Sequence, residues 1–110
     1  MTTRPGWFLF DGLRRIDVQT GKVQHFAFPE GVYCSEAPFA PRLGGSAEDD
    51  GWVLSYVSDM NRDRSEVWVF EGADVSRGPI ARVALPERIC VGTHSCWASA
   101  SQMEGWKKEA

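Results

Sequence analysis

Residues 88–97 hold the densest cluster of side chains in the sequence that could bind a metal. One of only two histidines, His94, lies there between two of the three cysteines, Cys90 and Cys96. A neutral imidazole is a common ligand for iron, zinc and copper, and thiolates are ligands for zinc. The pattern leaves two roles open for His94, a metal ligand or a histidine satisfied by a backbone hydrogen bond.

A structural zinc site made of Cys90, His94 and Cys96 is a second interpretation of this stretch. If the segment is extended, alternation with a period of two places the three side chains on one face. However, the spacing C-x3-H-x-C is not that of a standard zinc knuckle, and no fourth ligand is nearby. The alternative role for the two cysteines is that of small buried thiols packed beside Trp97.

The remaining polar candidates give weaker signals. Glu36 lies in a mostly apolar stretch, where a carboxylate is either exposed at a strand edge or held by a partner. Residues 48–50 are acidic but lack the ligand spacing of an EF-hand, which favours a solvated turn. No glycine-rich phosphate loop, nucleophile elbow or H-E-x-x-H is present. Ser55 and Ser95 have no evident base, so nucleophilic catalysis has no support.

The composition predicts one small domain. The chain has 110 residues, of which 43% are hydrophobic, enough for a modest core. Its net charge of −3 is spread along the sequence, so no nucleic-acid partner is expected. The apolar runs are too short for a transmembrane segment, and residues 1–5 lack the features of a signal peptide. With an odd number of cysteines, we expect reduced thiols and a cytoplasmic location.

Hydrophobic alternation predicts an all-β fold that positions these candidates. The expected strands are residues 13–18, 23–28, 36–40, 52–57, 65–71 and 80–85. The first two form a hairpin with turns at residues 11–12 and 20–21, whereas prolines limit 36–40 to a short or edge-like strand. The continuous apolar centre of 65–71 predicts burial on both faces. The tail, residues 98–110, is the only helix candidate and is expected to be frayed or disordered.

Three segments resemble the C-terminal part of the carotenoid cleavage oxygenase family. This family includes carotenoid, apocarotenoid and lignostilbene dioxygenases and the retinoid isomerase. The segments are SEAPFAPR at residues 35–42, EDDGWVLSYV at 48–57 continuing into RSEVWVF at 64–70, and IARVALP at 80–86 with GTH at 92–94. The E-D-D-G-x-x-L-S block followed by R-S-E is specific, and the match covers roughly residues 13–97.

The resemblance implies the C-terminal blades of a seven-bladed β-propeller, with residues 1–97 as a partial propeller and residues 98–110 as a polar tail. The family holds a ferrous ion, Fe(2+), on the propeller axis with four histidines, some of which hydrogen-bond to glutamates. His94 falls on the last iron ligand and Glu36 on one of these glutamates. The family cleaves a conjugated double bond of an apolar small molecule with O2, giving two carbonyl products.

The sequence also departs from the family pattern. Three ligand histidines are absent, because the only other histidine, His25, does not match a ligand position. Ser95 replaces the glycine that usually follows the ligand, and Cys96 comes next. We therefore expect a C-terminal fragment of the dioxygenase, inactive alone, whose open strand edges could associate with another chain. The alternatives are a β-rich binding or assembly module without catalysis, and a small zinc-stabilised domain.

Overall fold

The computed structural model describes residues 9–90, 92 and 94–109 and confirms the all-β prediction for them. In chain order the elements are β1 (Gly12–Ile16), β2 (Val23–Ala27), β3 (Val32–Cys34), β4 (Phe39–Pro41), β5 (Gly51–Asp59), β6 (Arg64–Glu71), a 3-10 helix (Val75–Arg77), β7 (Pro79–Ala84) and α1 (Ala100–Glu109). The residues examined for a signal peptide, 1–5, lie outside the described residues, as does Thr93. No helix in the described ranges has the length and apolarity of a membrane span.

The C-terminal tail contains the helix for which it was the only candidate. Ala100–Glu109 forms α1, and the expectation of a frayed or disordered tail stays a prediction. The helix begins after Ser99, whose hydroxyl accepts the Gln102 N–H at 3.2 Å, as expected of a capping serine. The boundary at residue 97 between a propeller part and a tail stays a prediction.

The first two strands form the predicted antiparallel hairpin. Gly12 pairs with Ala27 at one end and Ile16 with Val23 at the other. The turn at residues 20–21 is confirmed, since Gly21 has a φ of 74°. The turn predicted at residues 11–12 is wrong, because Gly12 is the first residue of β1. A Cβ there would lie 2.9 Å from the carbonyl oxygen of Phe26, so glycine allows a close strand approach rather than a turn.

Strands β3–β7 form one antiparallel sheet in the order β3-β5-β6-β7, with β4 also paired to β5. β5 and β6 pair along their length, from Trp52 opposite Glu71 to Asp59 opposite Arg64. Every residue of β6 is buried or half-buried, which confirms its predicted burial on both faces. The strand predicted at residues 36–40 begins only at Phe39, so Glu36 lies outside it.

One face of this sheet packs against the β1–β2 hairpin. Phe28 lies 5.0 Å from Trp68 between ring centroids, and Phe26 lies 5.4 Å from Phe70. Val32, Cys34, Val57 and Val75 complete the core. Burying each large apolar side chain contributes roughly 1.5–3 kcal/mol. The aromatic cluster therefore joins the hairpin and the sheet into one body.

After β7 the chain returns across the opposite face of the sheet. Ser65, on that face of β6, accepts the Ile89 N–H at 3.0 Å, and its hydroxyl lies 3.3 Å from Arg88 Nη1. Arg88 also donates to the carbonyl oxygen of Arg64 at 2.9 Å. These contacts hold residues 88–89 against the sheet. Further along the chain, His94 lies beside Glu36.

Candidate functional site

Glu36 lies in a bulge between β3 and β4, both of which pair with the same side of β5. Cys34 is opposite Val57 and Phe39 is opposite Val53, so four intervening residues face three on β5. An extra residue interrupts a ladder and redirects the side chains around it, and such bulges are frequent next to active sites. The bulge directs the carboxylate of Glu36 out of the sheet edge.

The Glu36 carboxylate meets the residues around His94. Its Oε2 accepts the Ser95 N–H at 2.9 Å and lies 3.4 Å from Nδ1 of His94. The contact with Ser95 is the stronger of the two, because 3.4 Å exceeds ordinary hydrogen-bond lengths. The side chains are exposed, 48% for Glu36 and 91% for His94. A carboxylate beside Nδ1 favours a proton on that nitrogen and a lone pair on Nε2, which is then free to bind a metal.

The cysteines do not join this pair. Cys90 and Cys96 are exposed free thiols, so their predicted role as buried packing residues is wrong. Within the described residues, no group of three or more His, Cys, Asp and Glu side chains lies close enough to hold a metal ion. The zinc interpretation therefore has no geometric support there. Cys34, the buried cysteine, has its thiol pKa raised to about 11 by burial and is a core residue rather than a ligand.

The donor set fits one position of a metal site and not a complete one. An imidazole with a carboxylate behind it is the usual arrangement of a single histidine ligand. Stable metal sites need several such ligands, and His94 is the only one the described residues offer here. A metal bound at His94 would need further ligands from beyond the described residues.

A cleft of about 230 Å³ lies beside the pair, on the sheet face opposite the aromatic core. It is lined by Pro38, Leu54, Ser55, Tyr56, Val67, Ser95, Cys96 and Trp97. Tyr56 and Trp97 are exposed. The hydroxyl of Ser95 is buried and has no hydrogen-bond partner among the described residues. This face is apolar and only partly covered by the returning chain, in contrast to the face under the hairpin.

Sequence reasoning assigned no role to the residues that hold the site in place. Ser65 anchors the segment that leads to His94, as described above, and Glu66 supports the core beneath it. Oε1 of Glu66 accepts the indole N–H of Trp68 at 3.2 Å, and Oε2 lies 3.2 Å from Nη2 of Arg64. The R-S-E block at residues 64–66 was the sequence signal that could have identified these supporting residues, because all three of its members make these contacts.

The acidic run at residues 48–50 also proves structural. Asp49 pairs with Arg15 at 2.7 Å, and Asp50 pairs with Arg42 at 2.8 Å. The expected solvated turn is confirmed at Glu48 and Asp49, and the two paired carboxylates remain 41% and 35% exposed. The first pair links β1 to the loop before β5 and supports the packing of hairpin on sheet.

Comparison with known proteins adds an independent observation. Residues 1–99 match the family model described as retinal pigment epithelial membrane protein (RPE65). The chain is 38% identical over 100 residues to the carotenoid 9,10(9',10')-cleavage dioxygenase of Crocus sativus, covering 88% of this chain and 18% of that protein. It is 31% identical over 100 residues to lignostilbene-alpha,beta-dioxygenase isozyme III of Sphingomonas paucimobilis, covering 91% and 20%.

The solved structures that are similar to the chain are also carotenoid and lignostilbene cleavage enzymes. A variant of the Synechocystis apocarotenoid oxygenase superposes with a TM-score of 0.79 at 29% identity, over 84% of this chain and 19% of that one. The lignostilbene dioxygenase of Pseudomonas brassicacearum gives 0.76 at 31% identity, over 82% and 19%. These neighbours are β-propellers, so the predicted fold class, part of a β-propeller, is confirmed. The chain spans about a fifth of the length of the proteins it matches.

Proposed function

Because the chain belongs to the RPE65 family of carotenoid cleavage oxygenases, we propose that it is the C-terminal part of a dioxygenase. The enzyme would cleave a conjugated double bond of a carotenoid, apocarotenoid or stilbene. The observation that carries the proposal is the contact between Glu36 and the residues around His94, far apart in sequence and brought together by the bulge. The names of the relatives support the reaction class.

In this proposal His94 supplies one imidazole to a ferrous ion, Fe(2+). Glu36 holds the proton of His94 on Nδ1, which leaves the lone pair of Nε2 for the metal. The Ser95 N–H donates to the same carboxylate oxygen and so holds the carboxylate beside the imidazole. When bound, the ferrous ion would supply the chemistry of O2, and the protein would supply an apolar cavity for the substrate.

We also propose that the chain is inactive alone. One histidine is too few for ferrous iron, and the sequence contains only one more, His25. His25 is an exposed residue of β2, in the β1–β2 hairpin. The remaining ligands would come from the polypeptide that completes the propeller. We further propose a cytoplasmic location, in keeping with three free thiols.

The open edge and the partly covered apolar face support the binding of a completing polypeptide. β7 is an edge strand whose residues are mostly exposed, and unpaired edges bind further strands readily. The apolar face beside the cleft needs a second layer to exclude water. In a complete propeller, the β7 edge would pair with a further strand and the apolar face would be covered.

Iron analysis and a cleavage assay on the purified chain test the proposal. We expect less than stoichiometric iron after anaerobic loading with Fe(2+) and no cleavage of a carotenoid or stilbene. Tight one-to-one iron binding with formation of carbonyl products would contradict the proposed incompleteness. The same loading applied to the His94→Ala variant gives the background for nonspecific iron.

The exposed apolar face also supports a second candidate function, a β-rich assembly module without catalysis. Tyr56, Val83 and Trp97 are all exposed large apolar residues. Light scattering after size exclusion distinguishes this candidate. A monodisperse monomer over a wide concentration range would argue against it, and defined oligomers would support it.

A further inference from the structure

Ser55, the serine that ends the E-D-D-G-x-x-L-S block, is buried in the middle of β5 at 2% exposure. Its hydroxyl oxygen lies 3.1 Å from the carbonyl oxygen of Ser35 and 3.3 Å from that of Glu36. A hydroxyl has only one proton to donate, so the two carbonyl groups that converge on Ser55 share it. Both carbonyls belong to the bulge that carries the Glu36 side chain.

The bulge leaves these carbonyl groups without ladder partners. Regular pairing with β5 resumes on either side, where Ser35 N–H donates to the Tyr56 carbonyl at 2.9 Å and Leu54 N–H donates to the Pro38 carbonyl at 3.0 Å. Between these two bonds, the described residues provide no backbone donor for the carbonyls of Ser35 and Glu36. The Glu36 carbonyl has a second hydroxyl, that of Ser35, at 3.3 Å, whereas the buried Ser35 carbonyl depends on Ser55. A buried carbonyl without a donor is unfavourable, so the Ser55 hydroxyl stabilises this backbone conformation over a regular strand.

We propose that Ser55 is a positioning residue for the site: it fixes the bulge so that the Glu36 carboxylate reaches the Ser95 N–H and Nδ1 of His94. Without the hydroxyl, the extra residue could shift along β5, and a shift of one position would turn the carboxylate to the other face. The link to metal binding rests on the proposed function. The hydrogen-bond geometry does not need a metal.

The test is NMR of the 110-residue chain without metal, at one pH, with Ser95 as the reporter. An amide that donates to a carboxylate is shifted downfield and exchanges slowly with solvent. In Ser55→Ala we expect the Ser95 amide proton to move upfield, towards its position in Glu36→Gln. We expect its exchange to become about tenfold faster, the ratio that corresponds to loss of one hydrogen bond to a charged group. The amide of Val69, in the centre of β6, should keep its slow exchange.

Ser58→Ala is the matched control. Ser58 is a second buried serine of β5, on the opposite face, and its hydroxyl makes no bond to the bulge. This variant should leave the Ser95 amide unchanged. An equal effect of Ser58→Ala and Ser55→Ala would overturn the proposal, because the response would then be general loosening of the sheet. An unchanged Ser95 amide in Ser55→Ala, or in Glu36→Gln, would also overturn it.

Ser55→Thr keeps the test decisive if Ser55→Ala does not fold. Threonine retains the hydroxyl, so the Ser95 amide should stay within about 0.1 ppm of its wild-type position, on the same hydrogen-bond reasoning. Displacement of this amide in a folded Ser55→Thr chain, or failure of both variants to fold, would contradict a role of the hydroxyl. Iron binding is measured separately, so the proposed function can fail while the role of Ser55 in placing Glu36 holds.

Discussion

Replacement of Phe28 by alanine tests how the hairpin and the sheet form one body. Phe28 is 7% exposed, and its ring centroid lies 5.0 Å from that of Trp68, 5.3 Å from Phe26 and 6.1 Å from Phe70. Removing a buried phenylalanine costs about 3–5 kcal/mol, through lost burial and the cavity left behind. The total stability of a small domain is about 5–15 kcal/mol, so this change removes a large share of it.

Urea unfolding followed by near-ultraviolet circular dichroism measures the effect. With a urea m-value of about 2 kcal/mol/M, the midpoint should fall by about 2 M. Phe28→Leu, which keeps most of the volume but loses the aromatic contacts, should cost only about 1–1.5 kcal/mol. Leu43→Ala is the surface control, since Leu43 is 99% exposed and its loss should lie within about 0.5 kcal/mol of zero. Equal midpoints for Phe28→Ala and Leu43→Ala would refute the packing of hairpin on sheet.

Three further predictions concern single positions. Gly51→Ala should lower the unfolding free energy by about 1–3 kcal/mol, because its Cβ would overlap the Ala40 carbonyl oxygen and lie 2.9 Å from Pro41 Cα; an unchanged melting temperature would contradict this. Burial raises the pKa of Cys34 from 9.0 to about 11, so its contribution to stability is present below pH 9 and is lost as the pH rises to about 11. A thiol reagent should then label only the other two cysteines of the native chain, and rapid labelling of all three would be the contrary result. Glu66→Leu should cost about 1–3 kcal/mol by leaving the Trp68 indole N–H without its acceptor, and Glu66→Gln should cost less because it keeps one; equal losses in urea titrations would argue against that hydrogen bond.

Hydrophobic patterning predicted the parts of the fold in which local and global preferences agree. The strongest strands, β5 and β6, have apolar centres, and they are consecutive in the sequence and pair with each other. The pattern failed where local conformation depends on distant residues. Gly12 was predicted to lie in a turn because glycine is common in turns. It lies in β1 instead, where the missing side chain allows the Phe26 carbonyl of β2 to come close.

The site was predicted only in part. Family resemblance singled out Glu36 and His94, and the structure brings them together. Their proposed roles as hydrogen-bond partner and iron ligand stay predictions. The sequence blocks at residues 48–55 and 64–66 include Ser55 and Ser65, but the contacts of these serines could not be predicted, because the hydrogen-bond partner of a serine at a strand position depends on the register of neighbouring strands. That register places Ser55 beneath the bulge and Ser65 beneath the returning chain.

The central claim is that His94 binds iron once the propeller is complete. The most direct test provides the missing part of the propeller as a second polypeptide. The chain is co-expressed with a Synechocystis apocarotenoid oxygenase truncated at the start of the matched region, and co-purification of the two polypeptides establishes assembly. We predict about one iron per complex with the wild-type chain and less than about a tenth of that with His94→Ala, since a lost ligand weakens a site of this kind strongly. Leu43→Ala should assemble and bind iron like the wild type. Equal iron in co-purified complexes of the wild type and His94→Ala would contradict the account.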